Sequence, residues 1–389
     1  MSATTSVAII GGGIGGLTLA AALRRRGMDA VVYEQAPELR EVGAAVALSA
    51  NGNRVLHELG LRDGLAECGA VPTELIYRNW GSGARIAAYG VGADYERRFG
   101  APYYGVHRAD LQKCLARVCG DRVRLNHRLV DMADSGNGHR LEFANGAVAS
   151  ADLVVGADGV HSTVRRWVTG EETAVYSGTS GFRGLVPAEQ LPSLPDPGAI
   201  QFWMGPGAHV LHYPIGDGSV VNFLAVVHEP EQWAGDTWTE RMPLEEISTC
   251  FDGWHPGVRE MIERTSLPQR WALFGQRPLN HWYRDGVVLL GDAVHAMLPH
   301  HGQGANQTIE DAATLAECLH RADREEALAR YERLRRARTR AVQRSSWTAS
   351  DLLHLPDGLR AEQRNRALEN IPATLRWIHA HDARATAAA

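Results

Sequence analysis

The sequence predicts an α/β protein in which a doubly wound parallel sheet is interrupted by an antiparallel one and followed by helices. Three observations predict this. A short apolar run, Val7-Ala8-Ile9-Ile10, feeds a glycine turn and then a helical pattern from Leu17 to Gly27. Two later apolar runs, Leu153-Val154-Val155 and Val287-Val288-Leu289-Leu290, end in Gly156-Ala157-Asp158-Gly159 and Gly291-Asp292-Ala293, as strands leading into ligand loops do. Between them, from about 175 to 275, strand patterns follow one another across Pro and Gly turns.

With 389 residues the chain exceeds the usual size of one core. The expected division is 1–174, a sheet domain at 175–275, a return to the first domain at 276–345, and a helical segment with tail at 346–389. Apolar residues make up 44% and charged residues 22%, the balance of a soluble globular protein. A net charge of −5 argues against nucleic acid and anionic membranes as partners. No apolar run is long enough to span a bilayer and no secretion signal is visible, so the expected location is the cytoplasm. Cys68, Cys114, Cys119, Cys250 and Cys318 are odd in number and form no Cys-x-x-Cys, which argues against disulfide chemistry. Lys113 is the only lysine, and the Gly-Lys-Ser/Thr of a phosphate loop is absent.

In the turn Gly11-Gly12-Gly13-Ile14-Gly15-Gly16, Gly11 permits the tight bend and Gly13 lets the backbone approach a pyrophosphate. Gly16 allows helix to pack on strand, with Ile14 and Gly15 at the helix's amino end. Ala30-Val31-Val32-Tyr33 then ends at Glu34, the acid placed to accept hydrogen bonds from ribose hydroxyls. Strand, turn, helix, strand and acid together predict an adenine dinucleotide. The small residues between Arg40 and Val46 suit a flat ligand, and Ser49 or Asn51 opens a helix carrying Val55, Leu56 and Leu59. Residues 74–90 read as two strands around Gly81-Ser82-Gly83. His107 precedes a helix with the stripe Leu111, Leu115 and Val118, whose Arg108 suits either a phosphate or solvent.

Residues 122–155 read as a small antiparallel sheet turning at Asn145-Gly146, and its last strand brings Asp158 to a carboxyl end. Strands at 178–187, 199–204, 208–215 and 219–228 follow, with no helix between them. Trp271–Arg277 leads back to the strand ending at Asp292. Pro299 to Asn306 turns into a helix reaching about Leu319, and its bare amides at Gly302, Gly304, Ala305 and Asn306 favour negative charge. Residues 323–381 read as helical, with a frayed Ala-rich tail.

The Gly11–Gly16 turn, Gly156-Ala157-Asp158-Gly159 and Gly291-Asp292-Ala293-Val294-His295, in this order and spacing, resemble the single-component FAD-dependent aromatic hydroxylases, across about residues 5–345. The phrasing is most similar to the salicylate hydroxylase and 6-hydroxynicotinate 3-monooxygenase branch. The resemblance implies a Rossmann-like FAD-binding domain of the para-hydroxybenzoate hydroxylase type with an inserted substrate sheet. It implies that Glu34 holds the adenosine ribose, Arg108 the phosphates and Asp292 the ribityl chain, with Arg40 and the backbone near Leu129 as further contacts. Asp158 would serve both FAD and the nicotinamide cofactor.

No second glycine fingerprint follows, so NADH or NADPH is expected as a transient reductant. The reaction implied is NAD(P)H- and O2-dependent hydroxylation of a phenolic or hydroxy-heteroaromatic molecule through a flavin C4a-hydroperoxide, by a monomer or homodimer. The alternatives are epoxidation or oxidation of a non-phenolic natural-product intermediate, and a non-catalytic FAD-binding redox protein. The missing cysteine pair disfavours a disulfide reductase, and the position of Lys113 disfavours a halogenase.

On the strand His209-Val210-Leu211-His212-Tyr213-Pro214, the two-residue period sends His209, Leu211 and Tyr213 to one face and Val210 and His212 to the other. The resemblance turns the first face to the substrate, with His209 able to deprotonate or orient a ring hydroxyl. A hydrogen-bonded sheet residue is the alternative. His295, His300 and His301 lack a supporting carboxylate pair, so no metal is expected. His300 matches a substrate-side histidine of the hydroxynicotinate branch, whereas Ala47 stands where that branch carries a histidine, leaving a more apolar pocket. Phe202, Trp203 and Asn222 read as sheet packing or substrate wall, and Arg183 as a carboxylate partner or an outward charge.

Overall fold

The computed structural model describes residues 6–389 apart from 40–44, 137, 172–173, 230–232, 234–238 and 267–268. Its first sheet has six strands in the order Tyr283–Arg284, Val287–Leu289, Leu153–Gly156, Val7–Ile10, Ala30–Tyr33, Val123–Arg124. All neighbours are parallel except the first two. Val7–Ile10 and Leu153–Gly156 are buried at every position, which is why these strands are unbroken apolar runs. A three-stranded antiparallel sheet, Leu129–Asp134, His139–Phe143 and Val148–Ala151, hangs beside it, with Gly146 turning at φ +82°; the sheet expected at 122–155 is thus shorter, because Val123–Arg124 and Leu153–Gly156 pair in parallel in the first sheet.

Close packing explains the glycine turn. Gly11 has φ +110°, and a Cβ there would stand 2.3 Å from the Ala157 carbonyl oxygen; at Gly16 it would stand 2.0 Å from the Gly11 oxygen. Gly15 has a second use that the fingerprint does not announce. A Cβ on it would meet Thr308 Cγ2 at 2.4 Å, because helix Ile14–Arg24 packs there against helix Gly304–Arg321.

The second sheet has eight strands in the order Thr239–Arg241, Gln269–Gln276, Ala174–Pro187, Val220–His228, Ala208–Ile215, Ile200–Gly205, Glu74–Asn79, Arg85–Gly90. It therefore extends beyond 175–275. The hairpin at 74–90 completes its edge, joined in parallel through Glu74–Asn79 to Ile200–Gly205. Leu75, Ile76 and Tyr77 are all buried, and a hairpin marks its own turn in sequence but not the distant strand that covers it. The strands between 178 and 228 are interrupted only by the short 3-10 turn Ala188–Gln190, but two α-helices follow, Leu244–Thr249 and Pro256–Glu263. Their Ile247, Val258, Met261 and Ile262 close one face over Trp203, Val210 and Phe223, so Trp203 belongs to the core. The opposite face carries Phe202, Leu211 and Tyr213, packed with Leu75, Tyr77 and Tyr103. His212 lies on the Trp203 side, with ring centroids 6.5 Å apart.

Helix Arg324–Leu353 and several short helices complete the chain. The Ala-rich tail is not frayed: Ala383–Ala388 is a helix, with Asp382 accepting a hydrogen bond from the Ala385 amide at 2.9 Å. Ala383 and Ala387, one turn apart, are buried against Gly304–Arg321, where only small side chains allow so close an approach. Arg384 pairs with Glu58 at 3.0 Å on the helix's outer side. Among the described residues, no helix is long and apolar enough to cross a membrane.

Candidate active site

A cleft of about 290 Å³ runs from the glycine turn to the large sheet. At one end lie Gly13, Ile14 and Gly15. The helix they open has no side-chain cap and no acid in its first turn, and a Cβ on Gly13 would meet nothing within 4 Å. Unshared amides and open space suit a pyrophosphate. Glu34, at the carboxyl end of Ala30–Tyr33, accepts from the Gly12 amide at 2.6 Å and the Ala36 amide at 2.8 Å. Arg108 is the first residue of helix Arg108–Cys119 and lines the cleft. Asp292 opens a short helix after Gly291 (φ +65°), with its side chain exposed to the cleft. Further along, Gly302 (φ +60°), Gly304 and Ala305 line the wall, and the helix beginning at Gly304 again has neither side-chain cap nor acid in its first turn. Two bare helix amino ends, with acids set for hydroxyls, fit FAD.

The side chains of Asp158 and Asn306 are bonded within the chain. The Asp158 carboxylate accepts from the Thr163 amide at 2.8 Å, the Val164 amide at 3.1 Å and the Ser162 hydroxyl, so it caps helix Thr163–Thr169 while Ala157 and Gly159 line the cleft. Burial raises its pKa, and these donors oppose the shift. Asn306 is fully buried; its Nδ2 donates to the Ala47 oxygen at 2.9 Å and the Gly302 oxygen at 2.8 Å, while its Oδ1 accepts from the Ser49 amide at 3.0 Å. The side chain thus staples Ala45–Leu48 to the Gly302 turn, whereas the expectation for Asn306 concerned its backbone amide. Leu129 is buried in the small sheet and does not line the cleft; its neighbour His127 donates its amide to the Glu34 oxygen at 2.8 Å. Arg40 lies outside the described residues.

Beneath the flavin-side wall is a polar network with no local sequence signal. Asn51 Nδ2 donates to Gln303 Oε1 at 3.1 Å and Glu310 Oε1 at 2.7 Å, and Gln303 Nε2 donates to Ser49 Oγ at 2.9 Å. Asp311 accepts from the Gly291 amide at 3.0 Å, His295 Nε2 at 2.5 Å and Arg335 Nε at 2.6 Å. Burial alone would push the Glu310 carboxyl upward, but Arg335 and Arg338 outweigh it and hold the pKa at about 2. Paired in this way, the buried charges hold the Gly291 and Gly302 turns in register.

The far end of the cleft is walled by Arg183, Leu211, Tyr213, Asn222, Leu224 and Met297. Arg183 points into it and stacks on Trp271, with the guanidinium 5.1 Å from the ring centroid. A back cavity of about 30 Å³ shares Ala47, Leu211, Tyr213 and Gly302 with the cleft, and Tyr77, Tyr103, Phe202 and His300 complete it. Burial pushes the Tyr213 hydroxyl well above the ordinary phenol range. His300 is 2% exposed with neither ring nitrogen hydrogen-bonded, and burial, then His354 and His301, keep its pKa well below the usual value. His209 lines neither cavity; it stands behind His300, ring centroids 4.9 Å apart, with its Nδ1 2.6 Å from His354 Nε2. His295 is bound to Asp311, and His301 contacts Ser345 Oγ at 2.9 Å. Among the described residues no His, Cys, Asp or Glu group is arranged for a metal.

The family model described as "FAD binding domain" matches residues 4–346. A 3-amino-4-hydroxybenzoate 2-monooxygenase of Streptomyces cremeus is 42% identical over 383 residues, 97% of this chain and 95% of its own. A 6-hydroxynicotinate 3-monooxygenase of Pseudomonas fluorescens is 34% identical over 353 residues, 89% of this chain and 91% of its own. The crystal structure of Klebsiella pneumoniae HpxO complexed with FAD and uric acid superposes with a TM-score of 0.84 at 30% identity, covering 95% of this chain and 94% of that one.

Proposed function

The chain belongs to this FAD-binding family of aromatic monooxygenases, and from that membership we infer that it hydroxylates a phenolic or hydroxy-heteroaromatic small molecule. The observation that carries the reading is the continuity of the FAD-shaped cleft with a cavity walled by Tyr213 and His300. FAD, reduced by NADH or NADPH, supplies activated oxygen from O2 there. The chain's part is to hold and orient. Amides at Gly13–Gly15 take the pyrophosphate, Arg108 adds charge, and Glu34 and Asp292 take the ribose and ribityl hydroxyls. Amides at Gly304 and Ala305 would meet the flavin's pyrimidine edge, whereas the Gly302 amide, expected to be bare, donates to the Pro299 oxygen at 3.0 Å. Apolar Ala47, Leu211 and Phe202 exclude water from the ring, and the neutral His300 imidazole accepts the proton of its hydroxyl.

Among the described residues Asp292 has no protein partner to leave stranded, so Asp292→Ala is expected to fold normally and purify largely colourless. Retention of full flavin absorbance would remove Asp292 from the site. Glu34→Ala is expected to weaken FAD by about 1–3 kcal/mol, the cost of leaving hydroxyls and the Gly12 amide unpaired, read by titrating apoprotein with FAD.

The substrate class we favour is a hydroxylated aromatic acid of the kind named for the Streptomyces cremeus relative, with Arg183 pairing the carboxylate. Phenolic acids, their amides and hydroxypyridines should be screened for stimulated NAD(P)H consumption and a product gaining one oxygen. If no ring stimulates consumption, the hydroxylase reading fails. Arg183→Ala should raise KM for the acid by about 10–100-fold, the worth of one charge-assisted hydrogen bond, and leave KM for the amide nearly unchanged. Equal losses on both would place Arg183 elsewhere in the reaction.

A further inference from the structure

We propose that His379, carried by the carboxyl-terminal turn, reads a second polar substituent on the aromatic substrate: an uncharged amino or hydroxyl group next to the phenolic hydroxyl at His300. The proposal rests on the phenolic reading above and adds which rings are chosen.

Leu375 and His379 complete the wall of the back cavity. Both lie beyond residue 346, where the match to the family model ends, so membership of the family assigns them no role. The turn that carries them is fastened at its backbone. Arg54 donates to the His379 oxygen at 3.1 Å and to the His381 oxygen, while Arg338 donates to the Trp377 and Ile378 oxygens at 3.1 and 3.0 Å. Glu310 accepts from Arg338 at 2.7 and 2.8 Å, which ties the turn to the network beneath the flavin-side wall. Tyr95, Phe99 and Tyr103 meet the His379 ring edge-on, with centroids 5.7, 5.9 and 6.2 Å away. A ring clamped on three sides keeps one orientation to the cavity.

What this wall offers is unspent hydrogen bonding. The His379 amide and oxygen are both bonded, but among the described residues its ring nitrogens carry no hydrogen bond, and neither does the Tyr77 hydroxyl. Both side chains are more than nine-tenths buried and line the cavity. Unpaired buried polar groups are costly, so a polar occupant is favoured. Burial, then His301, Arg54 and Arg338, hold the His379 pKa at about 3, so its imidazole is neutral and presents one donor and one acceptor. An amino or hydroxyl group matches both. The cavity's 30 Å³ take a single such group. No charged side chain lines it, so a carboxylate would be stranded there and is left to Arg183 in the cleft. His300 borders the same small hollow, which sets the two substituents on adjacent ring carbons.

The test titrates the FAD-loaded protein with 3-amino-4-hydroxybenzoate, 3,4-dihydroxybenzoate and 4-hydroxy-3-methylbenzoate, following flavin absorbance. Wild type should bind the first two about 10–100-fold more tightly than the methyl acid, which is of similar size but leaves His379 unpaired. His379→Phe keeps the aromatic packing and should erase that preference, weakening the first two while the methyl acid binds within a few-fold of wild type. His379→Gln, with a donor and an acceptor, should restore part of it. Leu375→Ala, a half-buried change that carries the test if His379→Phe does not fold, should widen the cavity until 3-ethyl-4-hydroxybenzoate binds as tightly as wild type binds the methyl acid. Equal wild-type affinity for all three acids would mean that the hollow holds water only. Equal losses on all three in His379→Phe would make His379 structural, and an unchanged size limit in Leu375→Ala would take the turn out of the wall. Each of these results overturns the proposal while phenolic rings still stimulate NAD(P)H consumption. If none does, the hydroxylase reading fails and this one with it.

Discussion

His209→Ala should retain FAD and slow hydroxylation by about 10²–10⁴-fold, with much of the NAD(P)H consumed appearing as hydrogen peroxide. Its side chain touches neither cavity, so FAD content should be unaffected. The deficit should arise because His300 loses its neighbour at 4.9 Å and the ring hydroxyl is not deprotonated in time to capture the activated oxygen. His212→Ala is the control on the opposite face. Fully buried beside Trp203, it should lower the thermal midpoint and leave the ratio of product to NAD(P)H intact. A reversal of the two phenotypes would make His212 the residue in contact with the chemistry.

Gly11→Ala should be the most damaging small change in the nucleotide half. The alanine would be held at φ +110°, a strain of about 1–3 kcal/mol, with its Cβ 2.3 Å from the Ala157 oxygen. Relieving that overlap costs about 1–3 kcal/mol more, a large share of the 5–15 kcal/mol typical of a folded domain. We expect poor yield, no bound flavin and a depressed thermal midpoint. Gly13→Ala separates folding from binding, because a Cβ there meets nothing within 4 Å. Its apoprotein should melt like wild type while FAD affinity falls. A wild-type melting point for Gly11→Ala would mean that the turn relaxes without loss.

The parts of the site that sequence reveals are those built from neighbours along the chain. Gly11, Gly13 and Gly16 sit within one turn, Glu34 ends the next strand, and Asp292 and Gly302 each follow their own strand or turn, so local spacing reports them. The two-residue period also divides His209, Leu211 and Tyr213 from His212 correctly. Contacts made across the fold leave no such trace. Nothing near Gly15 announces Thr308, nothing near Asn306 announces the Ser49 amide that turns it from the cleft, and His354 lies 145 positions from the ring it bonds. The hairpin at 74–90 was legible as a hairpin, but its place in the large sheet depends on apolar residues at 200–205. The tail is helical for a similar reason: alanine signals little alone, and the surface that receives Ala383 and Ala387 is on another helix.

The strand order of the first sheet sets a timetable for synthesis. Val7–Ile10 lies at its middle, yet one neighbour, Leu153–Gly156, is made far later, and that strand's own outer partner, Val287–Leu289, emerges after nearly all of the large sheet. The large sheet is complete once Gln269–Gln276 has left the ribosome, so it can settle while the earlier strands still wait. FAD cannot be fully enclosed until Asp292 and the helix from Gly304 have also been made. A translational pause shortly before residue 287 would hold the apolar edge of the first sheet open in the nascent chain, where a chaperone rather than the cofactor must cover it.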